Sequence, residues 1–480
     1  VFDSGSRAPI AITLLVKNPE ATNKKATIHY HDIGDYLNRE EKLKIVTGFG
    51  SIDNPKMDWT QINPNEHGDW ISQRNNLFST FIPIVKNENK NSSFFNFYSW
   101  GQKSNRDAWA NNSSRKKLLQ NINKLIDFYN IQRNEYHLNP DNEDIEVEDF
   151  INPDPTKISW SRSLRRRLKN NQELTPTENC IISLYRPFFK QYLYYERDLI
   201  EEIARVPQLF PAADYGNRVI CLTGKGASKD FSVLMTDAIP NLDTIEKAQC
   251  FPLYYYEKNN IQQKSLFDDS NENEYIRRDG VSDFILSRAH KQYGKNVSKE
   301  DIFYYVYGFL HSPEYCISFA NDLKKMLPNI PLVDDVRHFW KFSRAGRQLT
   351  ELHINYESIP PCPNVTVTGD DIGYFKVQKM RFPKKGQKDT IIFNSKITIS
   401  NIPDKAYEYI VNGKSAIEWI MERYQVTVDK KSKIKNDPND WANETGNPRY
   451  ILDLLLSVIN VSLQTVDIVN QLPELNFHGM

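Results

Sequence analysis

The sequence predicts the remnant of an α/β sheet at its start, followed by a mixed α+β domain with helical segments. Three observations carry this. Ile10 to Val16 is an unbroken apolar run rich in branched residues, set between Pro9 and Lys17-Asn18-Pro19. That is the pattern of a strand buried on both faces of an α/β sheet. Apolar stripes at helical spacing run from Leu118 to Tyr129 and again from Ile302 to Ser343, and Val365 to Ile402 turns strand-like. A strand of the first kind needs neighbouring strands and covering helices. Because Val1 is not Met, the expectation is a piece of a longer protein.

Taken in order, Lys25 to Tyr30 and Phe81 to Val85 are short strand candidates. Leu118, Ile122, Leu125, Ile126 and Tyr129 mark a helix with a cap at Ser113 or Ser114. Asn139 to Pro155, acidic and holding three prolines, is a boundary. A basic segment comes next, and then Leu184 to Arg197, whose dense aromatics are mainly core. Beyond a second boundary at Pro211 to Asn217, strands are expected at Arg218 to Thr223 and Phe251 to Tyr256. Three helices are expected after them: Ile302 to Phe309, Cys316 to Leu327, and Val336 to Ser343. Ser312-Pro313 opens the second and Pro328 stops it. A turn at Lys385-Gly386 separates two β-rich runs, and helices resume at Ser415 and Arg449.

With 480 residues the chain exceeds a single core. Its 39% hydrophobic and 25% charged residues are those of an ordinary globular protein. Ile451 to Leu463 carries Asp453 and Asn460 and reads as an amphipathic helix, so no membrane partner is expected. Five cysteines, Cys180, Cys221, Cys250, Cys316 and Cys362, are widely spaced and form no C-x-x-C, which fits a reducing cytoplasm. The charges cancel, 61 Lys and Arg against 61 Asp and Glu, but they are segregated. Asp141 to Asp154 holds seven acids, while Lys157 to Lys169 and Lys376 to Lys388 hold six bases each and no acid. Separated basic stripes bind polyanions locally in a neutral chain.

Gly413-Lys414-Ser415 stands where a phosphate-binding loop would, after a strand-like run and before a helix. Such a loop needs glycine at position 408, which is Glu408, and Ser415 with Glu418 instead spells a capping box. Gly224 to Lys229 leaves two readings open: a plain turn, or a loop bringing backbone amides, Lys225, Ser228 and Lys229 to DNA phosphate. His29 and His31 would share a strand face but lack a third ligand, so a surface pair is expected rather than a metal site. In the basic segment, Arg162, Arg165, Arg166 and Lys169 fall on one helical face. Lys376, Lys379, Arg381, Lys384 and Lys385 lie on an expected two-stranded basic ribbon, a shape that fits a major groove.

The blocks FDSGSRAPIAITLLVKNP, GQKSNRDAW (Gly101 to Trp109), IDFYN (Ile126 to Asn130), ISWSRSL (Ile158 to Leu164) and LYRPFFKQYLYYER resemble the C-terminal part of type ISP restriction-modification enzymes. QCFPLYYYE, WKFSRAGRQLTELHINYE, NGKSAIEWIMERYQV and NDPNDW continue the resemblance in order over nearly the whole chain. Such enzymes carry a nuclease, an ATP-driven translocase, an adenine-N6 methyltransferase and a target recognition domain on one polypeptide. The resemblance implies that residues 1–130 are the end of the methyltransferase sheet, 131–214 a helical connector and 215–480 the recognition domain. The implied partners are double-stranded DNA and the nuclease, translocase and methyltransferase parts of the same polypeptide. A monomer is expected.

The cofactor loop and the Asn-Pro-Pro-Tyr type motif of the methyltransferase are not in this sequence. Asn152-Pro153-Asp154-Pro155 lacks the aromatic, and Asn447-Pro448-Arg449-Tyr450 has Arg for the second Pro. S-adenosylmethionine, ATP and Mg are therefore expected of the full-length enzyme and not of this chain, which holds no catalytic residue of its own. The leading expectation is a DNA-reading module. The alternatives are a methyltransferase half completed by the missing part, and an interdomain docking module.

Overall fold

Sequence-local signals set most of the helices, and two units assemble from them. The structure, a computed structural model, describes residues 11–20, 22, 26–34, 37–71, 74–85, 92–138, 145–212, 214–259 and 274–477. It divides into Val1–Gln73 and Arg74–Met480.

In the first unit, Ile28–Tyr30 pairs antiparallel with Thr60–Ile62. Asn38 and Glu41 form a reciprocal capping box at the start of helix Arg39–Phe49, none of whose residues is buried. Ile10 lies outside the described residues. From position 11 the expected buried strand is not formed: 11–18 is irregular, and Ile12, Leu14, Leu15 and Val16 are 62% to 88% exposed. A strand buried on both faces takes its ladder bonds and its cover from neighbouring strands and helices. This unit offers a two-stranded ladder and an unburied helix instead. His31 Nδ1 lies 2.9 Å from the Asp58 carbonyl oxygen and its ring meets Phe49 and Trp59, while His29 is exposed.

The second unit is organised by a four-stranded antiparallel sheet in the order Ser99–Trp100, Gln249–Pro252, Val219–Leu222, Val233–Thr236. Its side chains alternate between two cores, as strand geometry requires. Val219, Cys221, Leu234 and Cys250 enter one core, with the terminal helix Tyr450–Val469 and the 391–424 region. Ile220, Leu222, Val233, Met235 and Phe251 enter the other, with helices Lys299–Phe309 and Val336–Ile354. The sheet is thus a partition between the two. Cys221 and Cys250 face each other across it with Sγ atoms 3.8 Å apart, and all five cysteines are free thiols.

Lys299–Phe309 crosses Val336–Ile354 at backbone contact. A Cβ on Gly308 would lie 2.1 Å from the Phe342 carbonyl oxygen, and one on Gly346 1.9 Å from that of Tyr304. Only glycine at both positions permits so close a crossing. The helix expected over Cys316 to Leu327 breaks into Pro313–Ser318 and Ala320–Lys325. At the break Phe319 packs against Phe78, Phe81 and Phe477, so tertiary packing overrides helical continuity. Tyr450–Val469 is long and apolar enough to cross a membrane by length and composition, yet twelve of its residues are buried inside the unit.

A second sheet runs Ile239–Pro240, Cys180–Arg186, Phe189–Tyr194, Asn111–Asn112. Its central hairpin buries Leu184, Phe188, Phe189, Leu193 and Tyr194, the aromatics expected in the core. The segment expected as a helical connector over 131–214 is therefore only partly helical. Its run of helices gives way after Lys169 to the hairpin, which joins a sheet with Ile239–Pro240. Boundaries at 130 and 214 do not separate compact units. The long helix Arg115–Leu138 packs Leu118, Ile122, Leu125, Ile126 and Tyr129 against the basic helix Arg162–Lys169 and the hairpin. Ser114 Oγ accepts from the Lys117 amide at the start of that long helix, as a cap there requires.

Candidate nucleic-acid interface

The basic helix Arg162–Lys169 is held at its start by a buried cation. Ser161 caps it, accepting from the Leu164 amide, while Leu164 and Leu168 face inward. Arg106, 3% exposed, donates to Ser161 Oγ and to the Leu199 carbonyl, both at 2.6 Å, with Glu201 at 4.0 Å. Burial pulls the Arg106 guanidinium down to about 10, and nearby Glu201 opposes that shift. Burial acts to raise Glu201, but hydrogen bonds from Ser163 and Ser161 hold it below the usual carboxylate range. Of the expected basic face, Arg162 and Arg166 stand exposed with no acidic partner among the described residues. Arg165 is half-buried, its Nε without a partner, and Lys169 pairs with Glu146 at 3.3 Å.

In the glycine-rich turn at 224–229, the amides of Gly224, Gly226, Ser228 and Lys229 are engaged inside the fold. The Glu246 carboxylate already accepts from the Ser228 amide, the Ser228 hydroxyl and the Lys229 amide, each at 3.0 Å. Lys247 Nζ donates to the Gly226 carbonyl at 2.7 Å. An internal carboxylate thus takes the Ser228 and Lys229 amides and the Ser228 hydroxyl, and Lys225 and Lys229 are exposed side chains. The stem of Lys229 lies along Gly413. There the capping-box reading holds: Ser415 accepts from the Glu418 amide, Glu418 accepts from the Ser415 amide, and Lys414 pairs with Glu422 over the Trp419 ring. The Asn-Pro look-alikes are equally local. Asn152 Oδ1 accepts from the Asp154 amide, and Arg449 pairs with Asp370 and Asp453.

The expected basic ribbon over 376–388 is not two-stranded. Arg381 bridges Ile392, and the turn Lys384 to Gln387 closes at Gly386, but the rest is irregular. Its backbone finds other partners. Asn439 takes both the amide and the carbonyl of Val377, at 2.8 and 2.7 Å, and the Val426 amide donates to the Gln378 carbonyl at 3.0 Å. Val377 and Met380 are buried, which leaves Lys376, Lys379, Arg381, Lys384 and Lys385 exposed and without acidic partners among the described residues. Lys388 is paired with Glu418.

A basic two-stranded ribbon does exist, at a place the sequence patterns did not single out. Thr427–Val428 pairs antiparallel with Lys435–Asn436. Asp429 closes the turn, accepting from the Lys431 and Ser432 amides, and those bonds, with Ser432 first among them, keep its carboxyl below the ordinary range. Lys430, Lys431 and Lys433 project at the tip, exposed; Lys430 and Lys433 have no acidic partner among the described residues, the charge of Lys431 acts on Asp429, and Lys435 pairs with Asp437. Asn436 Oδ1 accepts from the Ser113 amide and from Gln191 Nε2, which fastens the base of the ribbon to the core. The signal was present in Val428-Asp-Lys-Lys-Ser-Lys-Ile-Lys435, an acid-led turn dense in lysine after a β-branched pair. Because the Val426 amide bonds Gln378, the ribbon and the basic loop adjoin. Two neighbouring elements with seven unpaired cations suit a polyanion backbone.

A family model described as Type ISP C-terminal specificity domain matches residues 93–454. Among solved structures, the chain is similar to a nuclease-deletion mutant of the Type ISP restriction-modification enzyme LlaGI in complex with a DNA substrate mimic (39% identity, TM-score 0.79, 94% of this chain covered). It is similar to the ATP-dependent Type ISP enzyme LlaBIII bound to DNA (36%, 0.81, 94%) and to DrdV in a DNA complex (26%, 0.76, 93%). The chain spans 39%, 28% and 43% of the lengths of those three chains. Among curated proteins none matches.

Proposed function

The chain belongs to the Type ISP C-terminal specificity domain family, and from that premise we propose that it reads a target sequence in double-stranded DNA. The observation that carries the reading is the junction of the Lys376 to Lys385 loop with the Lys430 to Lys433 ribbon, where unpaired cations stand on elements fastened to the core. In this reading those lysines and arginines fix register on phosphates, and side chains beside them meet base edges. Arg162 and Arg166 add a second phosphate contact, with Lys225 and Lys229 as peripheral ones. The relatives LlaGI and LlaBIII, as Type ISP enzymes held on DNA, support it.

The wider assignments rest on the same premise. Of the stretch 1–130 expected to end an adenine-N6 methyltransferase domain, only the residues before 93 lie outside the specificity match and are assigned to that domain, and recognition is assigned to the matched residues 93–454. The nuclease, translocase and remaining methyltransferase parts of a longer polypeptide act on the DNA so positioned. S-adenosylmethionine, ATP and Mg belong to those parts. The Ser415 region does not fit nucleotide phosphate, because Glu408 and the capping box occupy it. The whole works as a monomer in the bacterial cytoplasm.

The test is duplex binding by the full chain across a salt series, combined with selection from random duplexes. Steep loss of affinity with salt and enrichment of one sequence are expected. Affinity that stays flat as salt rises tenfold refutes the reading.

A further inference from the structure

Just before the basic loop, the chain holds two apolar side chains out to solvent on a tied backbone. Gly369 adopts φ +81°, and a Cβ there would lie 2.1 Å from the Lys396 carbonyl oxygen, so the approach requires glycine. The turn Asp370–Ile372 comes next and ends at Gly373. Asp370 is bound by Arg449 at 2.9 Å on one side. On the other, Asn394 Nδ2 donates to the carbonyls of Tyr374 and Lys376 at 2.9 and 3.2 Å. Phe375 lies 5.3 Å beneath the Arg449 guanidinium. Between these anchors Ile372 remains 60% exposed and Tyr374 45%. Lys376, Lys379 and Arg381 come next in the chain, and Lys396 is on the segment that touches Gly369. All four are exposed and without acidic partners among the described residues, against one such acid, Asp371.

We propose that Ile372 and Tyr374 form a wedge that enters one step between adjacent base pairs of duplex DNA, with Lys376, Lys379 and Lys396 on the flanking phosphates. The charge balance around the tip selects a polyanion over an apolar protein partner as the occupant. Apolar side chains inserted at a step unstack it and bend the duplex. The anchored backbone matters because a wedge must hold its shape while the step opens. This inference rests on the DNA-reading function proposed above and adds a mode of engagement to it.

The experiment places 2-aminopurine at successive positions of the selected duplex and monitors its fluorescence as the full chain binds. Brightening at one step is expected. Ile372→Ser combined with Tyr374→Ser should bind about tenfold more weakly and lose the brightening at saturation. Lys376→Gln with Lys379→Gln should weaken binding and flatten its salt dependence while keeping the brightening. A duplex that binds with no bright position, or a double serine variant that keeps the brightening, overturns the wedge and leaves DNA reading intact. Absence of any salt-dependent duplex binding by the unaltered chain overturns both.

Discussion

Replacing Lys430, Lys431 and Lys433 together by glutamine removes three charges from the tip of the ribbon without disturbing packing, since all three side chains are exposed and only Lys431 has an acid, Asp429, near it. The turn survives, because Asp429 grips backbone amides and the Ser432 hydroxyl, none of which is altered. Removing one lysine from a phosphate lowers the slope of log affinity against log salt by about 0.9, so removing three lowers it by about 2.7. If the electrostatic contribution vanishes near 1 M, one such lysine at 0.1 M is worth roughly eightfold and three together about 500-fold. Fluorescence anisotropy of a labelled duplex between about 50 and 400 mM salt reads both quantities. A matched triple, Lys42→Gln, Lys44→Gln and Lys56→Gln in the first unit, alters net charge equally from exposed positions. A ribbon variant whose slope is unchanged, or a control that falls as far, would falsify the placement of the ribbon on phosphate.

Three further outcomes are expected. Arg106→Met strips donors from the Leu199 carbonyl and Ser161 and leaves Glu201 without its cation, for a loss of about 3 kcal/mol, read as a lower urea midpoint with early hydrogen exchange in the basic helix. An unchanged midpoint contradicts the anchoring role. Gly346→Ala drives a Cβ into the Tyr304 carbonyl and should cost at least about 1–3 kcal/mol, whereas Gly48→Ala, with nothing within 4 Å, should be neutral or stabilising in the same urea titration. His353 is buried, and His311 is half-buried with its ring Nε2 enclosed. His353 is bonded to Tyr307 and Thr465, and His311 Nε2 has no partner among the described residues. Burial lowers both, His311 to about 4. A depressed histidine contributes stability above its unfolded value, lost as pH falls, so His311 alone should remove about 3 kcal/mol between pH 6.5 and 4. His311→Gln should flatten that acid limb of the unfolding curve, and an equally steep limb would count against it.

Much of the architecture was legible because its determinants lie within a few residues of one another. The periodicity of Leu118 to Tyr129 and the caps Ser114, Ser312 and Ser415 each describe a hydrogen bond or face closed inside one or two turns, and each helix formed. The capping box at Ser415 likewise disposed of a phosphate loop from sequence alone. Segregated charge pointed to the 376–385 loop, and those cations do stand free.

What the chain could not disclose locally was decided by partners far away in sequence. Whether the basic segment at 376 or the one at 430 becomes a ribbon depends on Asn439, which claims the backbone of Val377, and on Ser113, whose amide bonds Asn436 across 323 positions. Whether the amides at Ser228 and Lys229 face an outside anion depends on Glu246. Whether Cys316 to Leu327 is one helix depends on the rings around Phe319. The exposure of Ile12 to Val16 has the same origin, since an apolar strand can state its need for neighbours but cannot supply them. Sequence determined the segments and their charge. Tertiary contacts decided which backbone groups and which cations were left over to meet a ligand, because a hydrogen bond already made inside the fold is no longer available outside it.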